Sequence, residues 1–210
     1  MGVGAHLAYW GVPESKIVEL DWWDEHRIGD LRLVATPARH FSGRTLLDRD
    51  RTLWASWALV GPRHRVFFSG DTGMHTDFDE IGERLGPFDM TLLEIGAYDA
   101  RWRDVHLGPE QAVRAHELLR GELLMPIHWG TFDLAFHSWV EPVERLVLAA
   151  SESEVRIAIP RPGQAVTPES PPSVRRWWPQ TVPWIGRDLA PVIASHLPAE
   201  VAPRPTPTSD

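Results

Sequence analysis

Cysteine is absent from the 210 residues, which excludes disulfides, thiolate chemistry and every Cys-based zinc or iron–sulfur site. Any metal must be held by His, Asp or Glu. Lysine is nearly missing as well: among 21 basic residues only Lys16 is not arginine, and 29 acidic residues leave a net charge of −8. The arginines are scattered, so no basic face for a phosphate backbone is expected and nucleic acid is disfavoured as a partner. No apolar run approaches the roughly 20 residues that a bilayer crossing requires. The opening Met1-Gly-Val-Gly-Ala-His6 has no basic region followed by an apolar stretch, so no secretory signal or transit peptide is read and the expected location is cytoplasmic. A G-x-S-x-G elbow and a Walker A loop are lacking too, and Gly2-Val-Gly4 follows no strand as a dinucleotide fingerprint must.

What is present suits one globular core. Hydrophobic residues make up 43% and charged residues 24% of the chain, near the average for folded domains. Of 19 prolines, twelve lie from Pro160 onward, a density that sheets and helices do not absorb. The expected division is a domain over 1–165 and a Pro/Trp-rich extension over 166–210. Trp177, Trp178 and Trp184 are expected to pin part of that extension, because three indoles left in water would forgo much apolar burial. Residues 198–210 are expected to fray. Within the core, short turn-bounded apolar runs predict strands at 16–20, 30–36, 53–60, 65–69, 90–95, 123–127 and 155–159. Helices are predicted at 78–85, 109–119 and 141–150 from their periodicity and Gly or Pro boundaries. The class is α/β (α+β), β-rich first and βαβα afterwards.

Three chemistry-bearing residues follow strands of this pattern. His40 follows Thr36-Pro-Ala-Arg, Asp71 follows Phe68-Ser-Gly, and His128 follows Met125-Pro-Ile. Each is a suitable metal ligand just past the carboxyl end of a buried strand, where several strands can aim side chains at one sheet edge. Taken one by one, each has a plainer reading: His40 a surface-loop residue, Asp71 a turn former, His128 a hydrogen-bonded histidine beside Trp129. Eleven tryptophans suggest packing first and an aromatic cleft second.

Five segments in this order resemble the metallo-β-lactamase superfamily, in particular its N-acyl-phosphatidylethanolamine-hydrolysing phospholipase D branch. They are Thr36-Pro-Ala-Arg-His40, Phe68-Ser-Gly-Asp71-Thr-Gly73, Ile95-Gly-Ala-Tyr98 with Arg101-Trp102, His106-Leu-Gly-Pro-Glu110-Gln-Ala-Val113, and Ile127-His128-Trp-Gly-Thr-Phe132. The resemblance covers roughly residues 1–165. It implies an αββα sandwich with two zinc ions at one edge, His40 on one zinc, His128 on the other, and Asp71 bridging them. It further implies attack of a deprotonated water on a small-molecule or lipid-like phosphodiester. The resemblance gives His106 a role behind the metal ligands or near the substrate phosphate, with a helix-capping or surface histidine as the alternative; with Asp71 it makes up the catalytic pair. His137 is expected to be structural, and Tyr98 and Asp99 to line the pocket or, for Tyr98, to pack.

The sequence departs from the resemblance at one point: the H-x-H-x-D-H motif that supplies the remaining ligands does not occur. Three ligands shared by two ions should bind metal weakly. The chain is accordingly expected to correspond to the carboxyl portion of a longer protein, with Leu59, Val66 and Phe68 partly in water for want of a second layer, and with an oligomer or partner covering that face. The alternative is a degenerate, non-catalytic domain that binds a partner.

Overall fold

The computed structural model describes residues 1–43, 45, 47–179 and 194–195. Trp184 and the segment 198–210, singled out above, lie outside them. Six strands form one mixed sheet in the order of the chain: β1 (Glu25–Ile28), β2 (Leu31–Thr36), β3 (Ser56–Val60), β4 (Arg65–Phe68), β5 (Met90–Glu94) and β6 (Leu124–Ile127). Strands β1 to β4 pair antiparallel, whereas β4, β5 and β6 are parallel. The parallel pairs need crossovers, and helices α2 (Asp77–Leu85) and α3 (Pro109–Leu118) supply them; α1 (Gly4–Tyr9) precedes the sheet and α4 (Glu141–Glu152) follows it.

Local chemistry explains most boundaries. Helix α2 carries Asp77, Asp79 and Glu80 in its first turn, where the helix dipole favours negative charge. Pro109 occupies the first turn of α3, and the Gly108 N–H donates to Gln111 Oε1 at 3.0 Å. Between these two helices the approach is backbone to backbone: a Cβ on Gly82 would run into the Leu118 carbonyl oxygen.

The predicted strand at 16–20 is not formed; a 3-10 turn at Glu14–Lys16 and extended chain stand there. The run at 155–159 makes only an isolated bridge between Ile157 and Leu124. Strand β1 replaces the former, because Gly29, at φ +58°, and Asp30 close a two-residue hairpin that pairs Ile28 with Leu31.

One face of the sheet is buried beneath α2, α3 and α4. Val34, Ala58, Phe67, Leu93 and Leu124 meet Phe78, Ile81, Ala112, Leu119, Val143 and Leu146 there in a single core. The opposite face carries Leu33, Leu59, Val66, Phe68, Leu92 and Met125, none of them fully buried, and Phe68 is 38% exposed. The two stacked sheets of an αββα sandwich are therefore not what the described residues form. They form one sheet with helices on one side; on the other, Val66, Leu92 and Met125 pack only in a smaller cluster with Met90, Leu123, Ala158 and Val166, which leaves Leu59, Val66 and Phe68 partly in water as expected. Beyond the domain, Trp177 and Trp178 do pin the extension: they pack on Trp129, Trp178 donates its indole N–H to Glu144 Oε1 at 2.7 Å, and Arg176 pairs with the same carboxylate.

The core also contains His116, 3% exposed, its Nδ1 2.7 Å from Thr91 Oγ1. Burial pulls its pKa down to about 4. The unfolded chain takes up this proton near pH 6.5, so the contribution to stability is fully present above that pH and is lost as pH falls toward 4. Roughly 3 kcal/mol should disappear across this window. Urea unfolding of the chain at pH 7 and pH 4.5 measures it, and His116→Gln should flatten the pH slope.

Candidate metal centre

Strands β2 and β4 are both antiparallel to β3, and β5 and β6 are parallel to β4. The carboxyl ends of β2, β4, β5 and β6 consequently share one edge of the sheet. His40 stands four residues past β2, Asp71 three past β4, Glu94 is the last residue of β5, and His128 follows β6 directly. His106 reaches the same edge from the segment ahead of α3.

Backbone hydrogen bonds tie these loops together. The Arg39 N–H donates to Thr72 Oγ1 at 2.8 Å and the Gly73 N–H to Arg39 O at 2.8 Å, which fixes the His40 loop against the Asp71 loop. His128 itself sits at φ +57°, a conformation unfavourable for a residue with a Cβ and the kind of strain that surrounding structure must impose. Gly96 permits it: a Cβ there would collide with the His128 carbonyl oxygen.

The side chains converge. Donor atoms of His40, Asp71 and His106 all lie within 4.8 Å of one another, and so do those of Glu94, His106 and His128. His128 Nε2 is 3.4 Å from Asp71 Oδ2, so Asp71 links the two groups. The His106 ring lies between the other two imidazoles, 5.2 Å from each centroid to centroid. The structure thus brings together His40, Asp71 and His128, and places His106 among them. With a side chain 15% exposed and its Nδ1 2.8 Å from Glu94 Oε2, His106 is neither a surface histidine nor the cap of α3.

Glu94 was not anticipated from the sequence. Its side chain is fully buried and accepts backbone N–H bonds from Thr72 and Leu107 on Oε1. The signal was an acidic residue closing the otherwise apolar Met90-Thr-Leu-Leu-Glu94, since an unpaired charge does not end a buried strand without a partner.

Electrostatics follow from these contacts. The His128 imidazole holds the Asp71 carboxyl below the usual carboxylate range, against the burial that raises it. Asp71 in turn raises the His128 pKa. Burial, aided by His128, pulls His106 down to about 4, so this ring is neutral at pH 7. Burial drives the Glu94 carboxyl well above its ordinary value, opposed first by the Thr72 N–H.

The donor set fits a divalent metal. His40 Nδ1 is engaged by the Phe41 carbonyl at 2.8 Å, while its Nε2 is buried without a hydrogen-bond partner. A buried lone pair with nothing to accept, next to a carboxylate and two imidazoles, is what a zinc or related ion would satisfy. Tyr98 and Asp99 do not join it. Tyr98 is 5% exposed and donates to Glu141 Oε1, and Asp99 is held by Arg101 at 2.7 Å, which keeps its pKa at about 2. His137 stacks on Tyr98 at 4.4 Å, in keeping with the structural role expected of it. A cavity of about 250 Å3 opens beside His128, lined in part by Trp129, Phe132, Leu134 and Trp139. Among the described residues, no helix is long and apolar enough to cross a membrane.

Comparison with known proteins agrees with this geometry. The family model for the beta-lactamase superfamily domain matches residues 1–129. An uncharacterized protein of Mycobacterium tuberculosis is 55% identical over 181 residues, which cover 85% of this chain and 48% of the relative. The N-acyl-phosphatidylethanolamine-hydrolyzing phospholipase D 1 of Caenorhabditis elegans is 36% identical over 140 residues, 63% of this chain and 39% of that protein. Among solved structures, Igni18, a metallo hydrolase of the archaeon Ignicoccus hospitalis, superposes with a TM-score of 0.61 at 23% identity, covering 78% of this chain and 64% of that one. The chain spans about half the length of the curated relatives it matches. It belongs to the metallo-β-lactamase superfamily, whose beta-lactamase superfamily domain matches more than half of its residues.

Proposed function

We propose that the chain carries the carboxyl-side half of a zinc site in a metal-dependent hydrolase acting on phosphodiester or phospholipid-like substrates. The observation that supports this reading is the convergence of His40, Asp71, His106 and His128 at one sheet edge, with His40 Nε2 buried and unpartnered. His40, Asp71 and His128 are the proposed ligands. The longer protein would add the remaining ligands and the second layer of an αββα sandwich over the open sheet face.

A divalent metal held by His40, Asp71 and His128 would supply Lewis acidity and would make water a better nucleophile at neutral pH. The chain's own residues orient and position. Asp71 and Glu94 hold the His128 ring from opposite sides, at 3.4 and 3.5 Å. His106, neutral at pH 7, stands between His40 and His128, beside the place the substrate phosphate would occupy. The cavity beside His128, with two indoles and exposed Phe132 and Leu134 on its wall, suits an apolar group esterified to that phosphate. Its apolar wall limits the water that reaches the scissile bond. The similarity to the Caenorhabditis elegans phospholipase D points to the same substrate class.

Metal analysis and turnover of bis(p-nitrophenyl) phosphate test the reading. Both are measured on this chain and on a version extended upstream in its gene. Weak zinc binding by the chain, with tight binding and turnover in the extended version, is the expected result. An extended version that holds no zinc would overturn it in favour of a non-catalytic, partner-binding domain.

A further inference from the structure

Glu94 is the most deeply buried charge-bearing group at the site. It touches two of the imidazoles through a single oxygen: Oε2 lies 2.8 Å from His106 Nδ1 and 3.5 Å from His128 Nδ1. Its other oxygen accepts from the backbone N–H groups of Thr72 and Leu107. Those two donors cannot reverse direction, so Oε1 is permanently an acceptor and only Oε2 faces the rings.

A neutral imidazole carries its one proton on Nδ1 or on Nε2, and only the nitrogen without a proton can bind a metal. On His128 the Nε2 edge faces Asp71, and His106 brings a ring nitrogen within 4.8 Å of donor atoms of both His40 and Asp71. We propose that Glu94 is a positioning residue: by accepting Nδ1–H from His106 on Oε2 it leaves the His106 Nε2 without a proton, and the same oxygen, 3.5 Å from His128 Nδ1, sets its charge behind the His128 ring. A partner of this kind fixes tautomer and ring orientation, and its loss commonly weakens metal binding about 10- to 100-fold. This assignment rests on the metal-centre reading above for its consequence, and on the His106–Glu94 hydrogen bond for its tautomer.

The size-matched variant Glu94→Gln separates the possibilities. Its carbonyl oxygen must turn toward the Thr72 and Leu107 N–H groups, so its NH2 faces His106 Nδ1 and donates to it. The His106 imidazole is then forced to carry its proton on Nε2. Long-range proton–nitrogen NMR of the metal-free chain at pH 8 should find His106 protonated on Nδ1 in the native protein and on Nε2 in Glu94→Gln. Zinc titration should show affinity falling about 10- to 100-fold in the variant.

A native chain with the His106 proton on Nε2 would overturn the proposal, even should the variant fail to fold. So would a folded Glu94→Gln that keeps both the native tautomer and the native zinc affinity, or one that reverses the tautomer without weakening zinc. A native chain with the Nδ1–H tautomer that binds no zinc would support the Glu94 assignment and overturn the metal reading instead.

Discussion

Asp71→Ala is expected to abolish the stabilisation that zinc confers while leaving the metal-free chain almost as stable as before. Among the described residues, Asp71 is the one whose carboxylate reaches the His40 and His106 pair and His128 as well, so its removal splits the donor set. A ligand present at 100 times its dissociation constant stabilises the folded state by about 2.7 kcal/mol. The variant should retain under about 0.5 kcal/mol of that at the same zinc concentration. Without metal the loss is small: the Asp71 side chain is 47% exposed, and an ion pair in such a setting contributes about 0 to 1 kcal/mol. Thermal unfolding of both proteins, with zinc and with chelator, measures the four states. Undiminished zinc stabilisation in the variant would remove Asp71 from the site.

The edge where these groups meet was legible in the sequence because glycine and strand punctuation mark it. His40, Asp71 and His128 each follow a hydrophobic run, and three such runs directed the same way must end together. Glu94 was passed over, since an acidic residue that closes a strand looks like a strand boundary; its burial, with two backbone donors and two imidazoles around it, gives it meaning. Strand β1 was missed for a related reason. Glu25-His-Arg-Ile has no alternation to read, and pairing with β2 makes the strand, although Gly29-Asp30 was an available hairpin signal. Conversely, the apolar stretch at 16–20 looked like a strand and has no neighbour to pair with. The partial exposure of Leu59, Val66 and Phe68 was expected from the second layer that the resemblance implies and this sequence lacks, and their alternation with Ala58 and Phe67, which point into the helix-covered core, is what places them on the other face.

Arg145→Met is expected to cost about 3 to 5 kcal/mol, although Arg145 touches none of the groups at the metal edge. It is 4% exposed on α4. Its guanidinium meets Glu110 Oε1 at 2.8 Å through both Nε and Nη2, and Glu141 Oε1 at 3.4 Å through Nη1. Glu141 in turn accepts from the Tyr98 hydroxyl at 3.0 Å. One buried cation therefore neutralises two carboxylates and, through Glu141, anchors the loop that carries Gly96 and Ala97 against His128. Removing it strands those carboxylates in a poorly hydrated interface between α3 and α4, and breaking a buried pair from one side costs about 3 to 5 kcal/mol. Methionine keeps the apolar length of the arginine stem, so the loss reports charge and hydrogen bonding rather than a cavity. The triple variant Glu110→Gln, Glu141→Gln, Arg145→Met removes the stranded charges as well and should recover more than half of the deficit in urea unfolding. A single variant within 1 kcal/mol of the native chain would mean that water reaches this network and that Tyr98 is held by packing alone.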